Sequence, residues 1–306
     1  MNKKLAAIFS VVIILTFIGY IIYDAITGRS ESLQSTEPVA RAVNEDKWTV
    51  SREITASEGQ LLSIAVDGAG RLYMGGESYV TCLDKNFAKL WSLKTMAKIT
   101  ALSIAGDTVF AASDENIDLI STNGELIDEW GPYEANSIIT SISANKEFVV
   151  FADAGVKRVF VLKKNGEVSS MMGQSENKFI IPSPYFDVAI SDDNTIFVAN
   201  TGNRRVETWS KDGALIEFYG EPGTAPGSFC GCCNPAHFTI VPQGFVTAEK
   251  GINRIKILDP DGGFTEFVSS NNHFTASVPL DLASADGITI YAADRVDSKI
   301  YVFTRK

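Results

Sequence analysis

Histidine is nearly absent from this chain, with 2 in 306 residues, His237 and His273. A metal centre built from several imidazoles is therefore excluded. Basic charge is short too: 27 Lys and Arg stand against 37 Asp and Glu, for a net charge of −10. Nucleic-acid backbone binding needs a basic footprint that this composition does not supply, and polybasic attraction to anionic lipid is missing for the same reason. No Walker-type phosphate loop and no dinucleotide glycine fingerprint occurs. Strands do not alternate with helices, which sets aside the nucleotide-binding α/β folds. Cysteine is scarce at 4 residues, yet three of them crowd into one short loop.

What is abundant is a repeated pattern of short strands. In residues 196–220 an apolar run, Ile196 to Ala199, meets the polar turn Asn200-Thr-Gly-Asn203. An alternating run from Arg205 to Trp209 follows, then the turn Lys211-Asp-Gly213, then Leu215 to Tyr219. Such runs between Gly, Asn and Asp turns read as consecutive antiparallel strands. The pattern recurs around the small residues Gly75, Ala112, Ala152, Ala199, Ala248 and Ala293. Intervals of about 37 to 49 residues are close to those of four-stranded propeller blades. Each copy begins with a further apolar run, as in LLSIAVD, ITSISAN and FDVAISDD. The fold class is therefore all-β, a six-bladed β-propeller over residues 47–306. The sixth copy ends at Lys306 before an outer strand, while the run from Lys47 to Ile54 is otherwise orphaned. That run is predicted to close the ring, since a propeller does not leave a long edge open.

Three copies, ADAGVKRVFVLKKNGEV, ANTGNRRVETWSKDGAL and AEKGINRIKILDPDGGF, resemble NHL repeats. The shared features are a strand ending in a small residue and an acid or amide, then Gly, Arg, an alternating strand and a D-G or N-G turn. The first two copies lack the Arg, and the sixth carries Lys299 there. The CGCCNP loop and the segment after it resemble a subgroup of bacterial NHL-repeat proteins. The resemblance implies an interaction surface, and hence a protein partner on one propeller face. Arg158, Arg205, Arg254 and Lys299 share one repeat position and read as blade residues rather than an anion site.

Ahead of the repeats, Leu5 to Tyr23 runs for 19 residues without a charge after Lys3 and Lys4. At 1.5 Å per residue it would span roughly 28 Å, close to a bilayer core. It is longer than a signal-peptide apolar region and has no nearby cleavage site. Residues 1–23 are accordingly predicted to be an uncleaved transmembrane signal-anchor, and 24–46 a polar tether. Lys3 and Lys4 set the N-terminus in the cytoplasm. The expected location is a bacterial inner membrane, crossed once, with the propeller on the periplasmic side.

Cys230, Cys232 and Cys233, with His237 four residues on, offer soft or borderline ligands from one loop. Three readings stand for it: a zinc, copper or iron site, thiol redox chemistry, or a disulfide that pins the loop. Cys82, in an alternating strand, reads as a small buried hydrophobe. In an up-and-down blade the cysteine loop shares a face with the turns between second and third strands. Asp153, Asn200, Glu249, Lys250 and Asp294 belong to those turns. Ser63, Ser103, Ser141, Asp187, His237 and Asp281 start the six inner strands and are expected to ring the channel mouth. Two functions follow. One is a tethered extracytoplasmic binding or scaffold module with a metal- or redox-active loop on blade five, part of an electron-transfer or metal-handling assembly. The alternative resembles gluconolactonase- and paraoxonase-like hydrolases, with a divalent cation cradled in the channel by Asp187, Glu249, Asp281 and Asn200.

Overall fold

A computed structural model describes residues 9, 12–19, 23, 47–174, 178–252, 254–270, 274 and 278–306. The chain divides into two compact units, Met1–Ala42 and Val43–Lys306. In the first, residues 12–19 are helical. Among the described residues no helix is long and apolar enough to cross a membrane, and much of the predicted anchor lies outside them. His273 lies outside them too.

The second unit contains six four-stranded antiparallel sheets. Within blade four the strands are Val188–Ile190, Ile196–Asn200, Arg205–Trp209 and Leu215–Tyr219, as the alternation predicts. The predicted closure is present: Trp48–Thr55 pairs antiparallel with Lys299–Arg305 and becomes the outer strand of blade six. The Lys306 amide also donates to the Lys47 carbonyl at 3.0 Å. First and last residues of the propeller thus share one sheet, and no blade is left incomplete.

Apolar packing is distributed between blades rather than gathered at the axis. Among the described residues six buried clusters exist, each joining two neighbouring blades around the ring. Second strands are largely buried, Leu72–Gly76 along its whole length, while the outer strand Lys89–Lys94 is largely solvated. The small residue ending each second strand has a packing cause. A Cβ on Gly75 would meet Ser63 Oγ at 2.5 Å and Ile99 Cγ2 at 2.7 Å. The N-G turn also has one: Gly166 has φ +83, and an added Cβ would press on the Trp130 indole of the preceding blade at 2.9 Å. Repeat spacing and turn chemistry are thus two views of the same inter-blade contacts.

Candidate functional site on the loop face

The inner strands of all six blades line an axial cavity of about 160 Å³. Residues at the start of these strands reach across to the next blade. Ser141 Oγ of blade three accepts the Val188 amide of blade four at 3.1 Å. Asp187 of blade four accepts the Phe238 amide of blade five at 2.6 Å, and Asp281 of blade six accepts the Ile64 amide of blade one at 2.8 Å. This repeat position therefore staples neighbouring blades, and the buried amides it satisfies would otherwise be costly. Ser103 departs from the predicted ring. Ala101 pairs with Ala112, so Ala101 holds the ring position and Ser103 lies two residues further along. Its Oγ accepts the Ala144 amide at 3.0 Å, the duty that Ser143 performs toward Ile190. Repeat length varies, so alignment by residue type slipped by one pleat there.

His237 opens the inner strand of blade five, His237–Val241. Its Nδ1 lies 3.6 Å from Asp187 and 3.7 Å from Asp281. Both separations are longer than a hydrogen bond, and Nε2 is the other functional atom of the ring. Nε2 is buried and makes no hydrogen bond among the described residues. Burial pushes the Asp281 carboxyl above its ordinary value, while His237 and Arg295 act in the opposite sense. The carboxylate oxygens that a calcium cradle would use already accept backbone amides, both on Asp281 and on Asp187.

Asp153, Asn200 and Glu249 perform one local task at the ends of the second strands. Each accepts an amide from the loop entering its own blade: Ile138 at 2.9 Å, Ile180 at 3.0 Å and Cys230 at 3.1 Å. All three side chains are buried. Asp294, in the matching place of blade six, accepts Val296 N at 2.8 Å within its own turn. Glu249 is further embraced by Arg254 at 2.7 Å and by Lys256 at 3.1 Å. Lys256 is fully enclosed, its ammonium 4.2 Å from the Phe229 ring centre. Burial lowers its pKa to about 8 against the pull of Glu249. Among the described blade residues, Arg158 pairs with Glu134, Arg205 with Glu207 and Lys299 with Glu53. Those partners come from different parts of the chain, in keeping with a structural use.

The cysteine loop is shaped by these anchors. Asn234 donates to the carbonyls of Cys230 and Lys250 and accepts the Lys250 amide at 2.8 Å. Cys230 is thereby held by its backbone. Cys233 is buried and Cys232 exposed, all four cysteines are free thiols, and the Cys232 and Cys233 sulfurs are 3.2 Å apart. Ser183 Oγ, from the neighbouring loop, donates to Cys233 Sγ at 2.8 Å. Burial raises the Cys233 thiol pKa; Ser183 and the Lys250 charge oppose that, and Cys232 reinforces it. The Lys250 ammonium sits 4.8 Å from the Tyr185 ring centre. Cys82 is buried in Tyr79–Leu83, as its alternating strand implies.

Sequence position thus grouped residues that the structure separates by task. The acids anchor loops and blades, His237 sits between two carboxylates, and the thiol pair keeps company with Ser183 and Lys250. Among the described residues no group of three or more His, Cys, Asp or Glu is placed to hold a metal ion. The expected four-ligand set of Cys230, Cys232, Cys233 and His237 is therefore not assembled, because His237 is committed to the channel. Sequence reasoning missed Ser183, Tyr185, Lys256 and Arg295. Only the aromatic and hydroxyl residues of Ser183-Pro-Tyr185 before an inner strand could have hinted at a contribution.

No family profile matches the chain, and no curated protein resembles it at a significant level. Solved structures do resemble it. A streptogramin B lyase matches with TM-score 0.60 and 14% identity over 85% of this chain and 98% of that one. The virginiamycin B lyase of Staphylococcus aureus matches with TM-score 0.60 and 16% identity, covering 84% and 99%. A Bacteroides thetaiotaomicron protein of unknown function gives TM-score 0.63 and 12% identity over 87% and 74%. Identities this low establish the propeller fold and leave the chemistry to the site itself.

Proposed function

We propose that this chain is a membrane-tethered, extracytoplasmic binding propeller of NHL type that holds a soft metal ion on its loop face for a metal-handling assembly. The observation that carries the reading is the free thiol pair, Cys232 exposed and Cys233 buried, with sulfurs 3.2 Å apart. Adjacent residues have Cα atoms about 3.8 Å apart, short of the roughly 4.4–6.8 Å usual for a disulfide. Two neighbouring thiolates chelating one ion meet no such restriction. Thiolates select copper(I) or zinc, and two protein ligands leave positions for a ligand that a protein partner supplies. Burial raises the Cys233 thiol pKa, and the Ser183 hydrogen bond and the Lys250 charge offset part of that rise toward the thiolate that metal binding requires. Leu5 to Tyr23 supports the tether, and the NHL-like wording of blades three to five supports an interaction role.

The test is titration of the reduced full chain with copper(I) and with zinc, followed by elemental analysis. One equivalent should bind, vanish in the Cys232→Ser/Cys233→Ser double variant and persist in Cys230→Ser. Absence of stoichiometric metal in protein with intact reduced thiols overturns the metal role.

A further inference from the structure

A second cavity of about 150 Å³ opens on the loop face beside the axial channel, and His237, Thr100 and Thr140 line both. Lys98, Tyr185 and Arg295 complete the polar part of its wall, with Asp114 as its one carboxylate. The size is roughly that of a void able to hold a benzene-sized molecule, and the lining is mixed, with Ile138, Ile139 and Pro184 beside the polar groups.

Two nitrogens in that wall are unmatched. His237 Nε2 and Arg295 Nε are both buried and make no hydrogen bond among the described residues. Among the described residues the Arg295 guanidinium has no carboxylate within ion-pair distance, although its charge acts on the Asp281 carboxyl, whereas Lys98 is paired with Asp114 at 2.9 Å. Buried polar groups are ordinarily satisfied, and leaving one without a partner is costly. Other polar groups nearby are engaged: Thr100 Oγ1 donates to Ile139 O at 2.8 Å and Thr140 Oγ1 to Phe186 O at 2.6 Å. The unfilled requirement is therefore an acceptor for Arg295 and a hydrogen-bonding group for His237. His237 turns Nδ1 toward Asp187 and Asp281; in the tautomer with the proton on Nδ1, Nε2 is an acceptor that wants a donor.

We propose that this cavity is a binding site for a small organic carboxylate, its carboxylate on Arg295 and a hydroxyl donor toward His237. Arginine presents a planar fork that fits a carboxylate in two-point fashion. Asp187 and Asp281 behind His237 disfavour an anion at the inner end, which orients the ligand with its charge at the rim. Tyr185 connects the two sites, because it lines this cavity while Lys250 sits over its ring and Ser183 holds Cys233. The carboxylate site needs no metal and stands apart from the thiol reading.

Calorimetric titration of the metal-free full chain with glycolate, acetate and inorganic phosphate, at constant ionic strength, tests it. Glycolate should bind saturably with one equivalent, more tightly than acetate. Arg295→Gln should weaken glycolate at least tenfold, Arg295→Lys should restore part of the loss, and exposed Lys211→Gln should change nothing. Thermal unfolding of each variant confirms that it is folded. The Cys232→Ser/Cys233→Ser variant should bind glycolate as the parent does, which separates this result from the metal titration. No saturable heat with glycolate, binding unaffected by Arg295→Gln, or binding of phosphate alone overturns the proposal.

Discussion

Blades four and five meet the same requirement with different chemistry. Asn200 and Glu249 each accept the amide of the incoming loop, Ile180 in one case and Cys230 in the other. In blade four the charge is displaced onto Glu207, which gathers Asn200, Arg205 and Trp209 at 2.8, 2.8 and 3.1 Å. In blade five the anchor is itself the acid and draws Arg254 and Lys256 inward. The same two cations also reach the Ser228 carbonyl at 3.0 and 2.7 Å. Blade five therefore spends a buried ion cluster on fixing one loop, where blade four uses an amide side chain. The loop so fixed is the one bearing the thiols, which makes rigid placement of that loop the difference between the blades.

The largest effect should come from Glu249→Ala, which strands two buried cations and the Cys230 amide. A loss of about 3–5 kcal/mol is expected in urea unfolding, since breaking a buried ion pair from one side is costly. The matching Asn200→Ala should cost about 1–3 kcal/mol, because it orphans the Ile180 amide and one arm of the buried Glu207. Equal losses in the two blades would remove the contrast.

A pH series sharpens it. Lys256 has its folded pKa lowered from 10.5 to about 8. Between those values the unfolded chain holds the extra proton, so stability contributed through this group rises with pH across that window and is flat below it. The stability difference between the parent and Lys256→Met should climb by up to about 1.4 kcal/mol per pH unit there. No slope difference would mean the ammonium is not desolvated as its burial indicates. The smallest effect should be at Ser183→Ala, which removes one neutral hydrogen bond to Cys233 and should cost about 0.5–1.5 kcal/mol. Its more telling readout is thiol labelling of the native protein: Cys232 should react first in the parent, Cys82 last, and Cys233 more slowly in Ser183→Ala than in the parent, because the donor that favours its thiolate is gone.

Much of the propeller was legible in the chain. Alternating runs, N-G and D-G turns and a small residue at the end of each second strand announced six blades, because each reports a local requirement of the sheet or of the blade beside it. Closure by Lys47 to Ile54 was legible too, as an orphan strand facing an incomplete blade. The site was harder to read, and Ser103 shows why. Residue type and nearness to a strand start placed it on the channel ring, but pairing register put Ala101 there instead.

Composition and pattern alone determined the class of fold, the number of blades and the loop that gathers the cysteines. Those properties follow from period-2 burial and turn geometry, which act within a few residues. Only the tertiary structure decided that His237 lies beside Asp187 and Asp281 rather than with the thiols, and that Cys233 answers to Ser183 some 50 residues away. Each of these is a contact between blades. Ring closure sets such contacts, since it brings to one mouth residues that no spacing along the chain relates.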